Sequence, residues 1–214
     1  MKKTARKKVR RNPIRTKENL LQAGIKLFSA RGYDGVAVDE IVDQAGCNKR
    51  MLYHYFGNKD GLYVEVLREV FGKLENIELE GTAETPTTEE AIREILACYF
   101  GFLQQNPDFV NLLMWENLNQ ARFLDAHPNL LSKHPILQRL NEILKRGRLR
   151  GEIEGAPDSR HLLVLLIGVC FIYVSNRHTL HHTLGLDLRR PSVLRKGLQL
   201  AQEMFIHGLI RMSR

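Results

Sequence analysis

The sequence predicts an all-α chain of about nine or ten helices: a small N-terminal three-helix unit of helix-turn-helix type, then a larger helical region. Three observations predict it. Apolar residues recur at three- and four-residue spacing through most of the chain, the interruptions fall at Gly, Asn and Pro, and no strand-like alternation of useful length occurs. The 214 residues suit one small domain plus one larger one. No internal repeat and no glycine-rich phosphate loop is present.

Residues 1–15 read as a basic arm. Lys2, Lys3, Arg6, Lys7, Lys8, Arg10, Arg11, Arg15 and Lys17 precede the first acid, Glu18; taking these nine from the 32 Lys and Arg leaves 23 against 24 Asp and Glu. The net charge of +8 is thus a property of the tail. Such a tail releases counterions on a polyanion, which points to nucleic acid ahead of a membrane surface or a merely solvated terminus. No apolar segment follows the basic residues, so a secretory signal is not expected.

Residues 16–62 read as the small domain. Leu20, Leu21, Gly24, Ile25, Leu27 and Phe28 form the stripe of a first helix that stops near Gly32, and a second, short helix carries Ile41, Val42 and Ala45 up to Gly46. Asn48 is a good N-cap for a third helix that ends at Gly57, and Asn58 caps a fourth through Leu62, Val66, Val70 and Leu74. On the third helix Leu52, Tyr55 and Phe56 share one side, while Lys49, Arg50, Tyr53 and His54 project from the other. One face can pack and the other can touch phosphates and base edges, which is the design of a DNA-recognition helix.

These residues resemble the N-terminal domain of the TetR family of one-component transcriptional regulators. The resemblance rests on the ordered set Leu27-Phe28, Gly32-Tyr33, Val38, Ile41, Ala45-Gly46, Leu52-Tyr53, Tyr55-Phe56, Lys59 and Leu62, roughly a fifth of the chain. It implies that the second helix supports the third, which enters the major groove. Lys49, Arg50 and His54 would then meet base edges, Met51 would give apolar contact, and Tyr53, Tyr55 and Lys59 would touch phosphates; Tyr55 fits a core position equally well. Arg11 and Arg15 of the arm join the implied DNA-binding set, the arm reaching an adjacent minor groove. One departure stands out: the family usually has Ser or Thr where this chain has Ala37, which can neither cap the second helix nor clamp a phosphate, and Asp39 and Glu40 beside it are repelled by the DNA backbone.

The fourth helix continues through residues 63–80 as a connection, and the acidic stretch with Gly81, Thr82 and Pro86 marks the boundary of a region 81–214. Thr87 and Glu90 have capping-box spacing. A long helix is expected over residues 160–184 after Asp158 as N-cap, apolar nearly all round as far as Val174 and hence buried on several sides, and a last helix over 193–212. The apolar run 162–174 would span only ~20 Å as a helix, too short for the ~30 Å of a bilayer core. By the resemblance this region is a dimerisation and effector-binding domain, the two helices forming an intersubunit bundle that sets recognition helices about one DNA turn apart on a palindromic operator.

An effector pocket is expected among the aromatics Tyr99, Phe100, Phe102, Phe109, Trp115, Phe123, Phe171 and Tyr173, with Asn117, Asn119, Asn176, Arg177 or His178 as polar partners. Trp115 and Tyr173 are favoured, because each needs a partner for its polar atom when buried. Three widely spaced cysteines, Cys47, Cys98 and Cys170, with no Cys-x-x-Cys pair, fit a reduced cytoplasmic protein. No cofactor and no metal is expected. Two other readings compete: a nonspecific architectural DNA-binding protein driven by the arm, and a metal enzyme built on His178, His181 and His182. The second lacks any Asp or Glu between Ser159 and Leu186.

Overall fold

The computed structural model describes residues 13–80, 87–153 and 155–210. All regular structure among them is helical: α1 (Pro13–Arg31), α2 (Val38–Gln44), α3 (Lys49–Phe56), α4 (Lys59–Glu80), α5 (Thr88–Gln105), α6 (Pro107–Leu118), α7 (Arg122–Ala126), a 3-10 turn (Pro128–Leu130), α8 (His134–Leu149), α9 (Ser159–Ser175), α10 (Arg177–Leu184) and α11 (Pro191–Ile210). The chain divides into two compact units, one ending at Glu69 and the other beginning at Val70.

In the first unit α1 packs on α2 and α3. Leu20, Phe28, Ile41, Leu52, Leu62 and Tyr63 are fully buried, with Phe28 edge-on to Tyr63 at 5.0 Å between ring centroids. Gly24 lets α1 approach α4: a Cβ there would sit 3.0 Å from the Val66 side chain. Gly32 closes α1 with φ +70°, its N–H donating to the Phe28 carbonyl at 2.8 Å, and Gly46 makes the turn between α2 and α3 with φ +65°. The first helix is already formed at Pro13, so Arg15 lies on α1 and not in the arm where sequence placed it. Arg11 lies outside the described residues.

In the second unit α5 is the central element, packed against α6, α8, α9 and α11. Its Ile92, Ile95, Leu96, Tyr99, Phe100, Phe102 and Leu103 are buried, and Phe109 of α6 lies edge-on to both Phe71 and Phe102. Thr87 and Glu90 form the expected reciprocal cap of α5: the Glu90 N–H donates to Thr87 Oγ1 at 3.2 Å and the Thr87 N–H to Glu90 Oε2 at 3.1 Å. Between α6 and α7 two successive non-glycine residues, Gln120 and Ala121, both hold φ of +57°. Glu116, 1% exposed, secures that turn by accepting the N–H groups of Phe123 and Leu124 at 3.3 Å each.

Two expectations for this unit are corrected. The helix expected over 160–184 is two helices, α9 and α10, bent by 76° at Asn176. There the side chains serve the backbone locally: Ser175 Oγ donates to Asn176 Oδ1 at 2.7 Å and Thr179 Oγ1 to the Asn176 carbonyl at 3.0 Å, offering the chain an alternative to helix continuation. With the short α7, this break brings the described α-helices to eleven instead of nine or ten. Nor is α9 buried on several sides within the protomer: Leu162, Leu163, Leu166, Cys170 and Val174 are buried, while Val164 and Leu165 are 68% and 61% exposed. No single helix among the described residues is long and apolar enough to cross a membrane.

Candidate nucleic-acid interface

Eight residues are too few for a stable isolated helix, so α3 holds its shape through its cap and its buried face. Asn48 Oδ1 accepts the Met51 N–H at 3.2 Å, and Gly57, at φ +76°, ends the helix with its N–H on the Tyr53 carbonyl. Leu52 and Phe56 are buried, each such residue stabilising the docked helix by about 1.5–3 kcal/mol. The opposite face carries Lys49, Arg50, Tyr53 and His54, all exposed, with Met51 and Tyr55 half-buried at its margins.

Tyr55 leans toward the core role of the two left open for it. Its ring is half-buried, and its hydroxyl donates to the Pro13 carbonyl at 3.1 Å, tying the recognition helix to the start of α1. Lys59, at the start of α4, is half-buried with its ammonium 4.1 Å from the centre of the Tyr33 ring. Burial pulls its pKa below the ordinary lysine value, while Asp34 and Asp60 push the other way. The Tyr33 hydroxyl in turn contacts the Asp60 carboxylate. Asn58 caps α4 as expected, accepting the Gly61 N–H at 2.8 Å.

The acids of α2 are organised by cations. Ala37, at the N-cap position with φ −89° and ψ 150°, provides no side-chain cap, but Glu40 Oε2 accepts its N–H at 2.8 Å and so supplies half of a capping box. Glu40 also pairs with Arg31 at 2.8 Å; that hydrogen bond, with the Ala37 N–H, holds its carboxyl below the usual range. Asp39 takes the Lys49 ammonium at 2.8 Å, and this contact raises the lysine pKa. Sequence periodicity did not reveal either pair, because each joins a residue of α2 to a different helix. Within α3 itself, Arg50 carries a cation with no acidic partner among the described residues.

The residues expected around an effector are distributed unevenly over the second unit. Tyr173 is half-buried between Phe100, at 5.2 Å between ring centroids, and the backbone of Gly197, where a Cβ would come within 2.4 Å of its ring. Its ring is thus a packing element between α5, α9 and α11. Trp115, Asn119 and Phe171 are half-buried on α6, at its C-cap and on α9, whereas Asn176 is exposed. Arg177 and His178 line a common cleft with residues of α6 and α9. Among the described residues no group of three His, Cys, Asp or Glu side chains is arranged to hold a metal ion, His178, His181 and His182 included.

Comparison with known proteins agrees with this geometry. Residues 20–66 match the family described as bacterial regulatory proteins, tetR family, and residues 89–205 match the tetracyclin repressor-like C-terminal domain. The chain is 30% identical over 198 residues to the HTH-type transcriptional repressor NicS of Pseudomonas putida, which covers 92% of this chain and 93% of that one. It is 26% identical over 159 residues to the repressor SCO4008 of Streptomyces coelicolor, 74% of this chain and 78% of the relative. Among solved structures, the regulator SCO4942 of Streptomyces coelicolor aligns over 88% of this chain and 97% of its own, with TM-score 0.67 and 18% identity. HlyIIR, a hemolysin II transcriptional regulator, aligns over 83% and 97% with TM-score 0.58 and 24% identity. The two family matches together cover most of the chain, and the chain belongs to the TetR family of DNA-binding transcriptional regulators, which are not enzymes.

Proposed function

We propose that the protein is a ligand-responsive repressor that binds a palindromic operator as a homodimer in the cytoplasm and leaves it when a small molecule occupies the unit from Val70 onward. The observation that carries the DNA contact is the exposed face of α3, where Lys49, Arg50, Tyr53 and His54 stand clear of the packing supplied by Leu52 and Phe56. Arg50 and His54 are the base-reading candidates with no acid in the way, whereas Lys49 must first leave or share its carboxylate partner Asp39. NicS, which matches nearly the full length, is named a repressor.

Self-association is supported by the apolar residues that α9 and α11 leave in water. Val164 and Leu165 on α9 are joined by Leu200 and Met204 on α11, 60% and 66% exposed. Exposed apolar side chains on two helices that pack together are what a twofold partner would cover. The helix α4 runs from Lys59 past the boundary at Glu69 and is the element through which an effector would shift the recognition helices. A coupling of ~1–3 kcal/mol changes operator affinity about five- to 150-fold.

Selection of bound fragments from genomic DNA with the purified protein tests this reading. A two-fold symmetric site, bound ~10³-fold or more tighter than random DNA at physiological salt, is expected. Comparable affinity for all sequences would replace the repressor with a nonspecific architectural protein. Leu165→Asp with Met204→Asp should yield a folded monomer with weakened operator binding, and a variant that stays dimeric would remove α9 and α11 from the interface. If no compound of a metabolite library alters operator affinity, the ligand switch is wrong.

A further inference from the structure

Where α6, α9 and α10 meet, the protein has a cleft of about 130 Å3 whose walls differ in chemistry. Pro107, Val110 and Val174 make one side aliphatic, while Asn111, Ser175, Arg177 and His178 supply the polar groups. Arg177 also borders a second, smaller cleft of about 90 Å3 with His181, His182 and Arg189.

The charge state of these walls selects the sign of a ligand. Arg177 Nε donates to His178 Nε2 at 3.3 Å, which orients the guanidinium and commits that histidine nitrogen as an acceptor. Its two terminal nitrogens meet no acceptor among the described residues. Asp187, which borders the smaller cleft, is already engaged: Arg189 Nε lies 2.9 Å and Arg190 Nε 3.5 Å from its carboxylate oxygens. These contacts, the Arg189 hydrogen bond first among them, lower its pKa to about 2. Asp187 is therefore not available to neutralise Arg177. The Asn111 amide also has no protein partner among the described residues and faces the same cleft.

Size and charge together narrow the ligand. At about 130 Å3 the cleft is well below the ~300 Å3 of a pocket for a drug-sized molecule. One free guanidinium suits one negative charge, and a planar fork suits a carboxylate bidentately. A phosphate dianion would want a second free cation, and it would leave the aliphatic wall in contact with nothing apolar. We propose that the cleft binds a small organic monocarboxylate, its carboxylate on Arg177, its polar edge on Asn111 and its apolar body against Val110 and Val174, and that this compound class is the effector. The proposal rests on the reading of the second unit as effector-binding.

The test separates those two claims by measuring ligand binding without DNA and operator binding with ligand. Calorimetric titration of the full-length protein with butyrate, benzoate, benzamide and inorganic phosphate is expected to show saturable binding of a carboxylate, with benzamide and phosphate at least about tenfold weaker. Arg177→Gln should weaken the carboxylate by a further factor of about ten or more with an unchanged melting temperature, and Arg177→Lys should recover part of it. The carboxylate that binds should lower operator affinity of the wild type and not of Arg177→Gln. Carboxylate binding that Arg177→Gln leaves intact, equal binding of phosphate or benzamide, or no carboxylate binding at all would overturn the proposal; release of operator by a neutral compound instead would leave the repressor reading standing. Arg177-dependent binding in a protein whose operator affinity responds to no compound would overturn the effector assignment together with the ligand switch.

Discussion

Replacing Asp39 with Asn is expected to make the protein bind DNA more tightly whatever the DNA sequence. In the free protein the Lys49 ammonium at the start of α3 is held 2.8 Å from Asp39 Oδ1, and both side chains are exposed. To reach a phosphate, Lys49 must leave or share that carboxylate, and the carboxylate itself faces the polyanion. Asn keeps the shape but loses the charge, so Lys49 becomes free to neutralise one more phosphate. Each phosphate contact adds ~0.9 to the slope of log affinity against log salt. A slope steeper by that amount means that a fourfold rise in salt, from about 50 to 200 mM, costs the variant roughly 3.5-fold more affinity than the wild type. The gain at low salt is sequence-independent, because phosphates carry no base identity, so operator and scrambled-duplex affinities rise by about the same factor and their ratio is unchanged. Fluorescence anisotropy on a selected operator and a scrambled duplex at several salt concentrations measures both quantities. Identical slopes and unchanged affinities would show that Asp39 neither restrains Lys49 nor meets the DNA field, and a changed ratio would show that Lys49 acts on base edges.

Two further outcomes follow from the packing. Gly197→Ala would place a Cβ within 2.4 Å of Tyr173 Cε1, and the ring has little room to yield because Phe100 lies 5.2 Å away on another side. A loss of about 1–3 kcal/mol is expected, seen as a fall of several degrees in melting temperature, with Tyr173→Ala in the same chain relieving part of it; an unchanged melting temperature refutes the close approach. Cys170 is fully buried and its pKa is pushed up to about 12, chiefly by burial, whereas Cys47 and Cys98 are partly exposed. Iodoacetamide at about pH 8 should therefore label Cys47 and Cys98 in the native protein well before Cys170, and mass spectrometry showing Cys170 labelled first would contradict the buried position.

The first unit could be read closely from sequence because its signals are local. Gly32, Gly46 and Gly57 are each at a positive φ that ends a helix, and Asn48 and Asn58 cap the helices that follow them. The split of α3 into a buried pair, Leu52 and Phe56, and an exposed cationic face follows from a period of 3.6 alone. What periodicity cannot carry is a partner distant in sequence or a break made by side chains. Asp39 meets Lys49 and Glu40 meets Arg31 only because α1, α2 and α3 converge, so both acids look from sequence like bare repulsion toward DNA. Asn176 reads as one polar residue in a long helical pattern until its hydrogen bonds with Ser175 and Thr179 show why the chain turns there. Tyr173 has the composition of a ligand-binding residue, and only the missing side chain at position 197 reveals that its ring is committed to packing.

The distribution of charge explains how attraction and discrimination can be kept apart in so small a DNA-binding unit. The excess positive charge lies before Glu18, and the rest of the chain is almost neutral, so sequence-independent attraction is concentrated at one end. Had α2 carried only a phosphate-clamping hydroxyl and no acids, Lys49 and Arg31 would add to that attraction and bind any duplex more tightly. Instead Asp39 and Glu40 each compensate one cation, which leaves Arg50, joined by the polar ring of His54, as the exposed groups on α3 whose binding energy is not already offset by an acid. A Ser or Thr at position 37 could cap α2 and grip a phosphate, but here Glu40 already takes the Ala37 N–H and its own charge is balanced by Arg31, so stability at that helix end is kept without a phosphate clamp. The loss of the hydroxyl and the presence of the two acids are thus one arrangement: the α2 terminus is stabilised from within the protein, and the base-edge contacts proposed for α3 would supply a larger share of the total affinity.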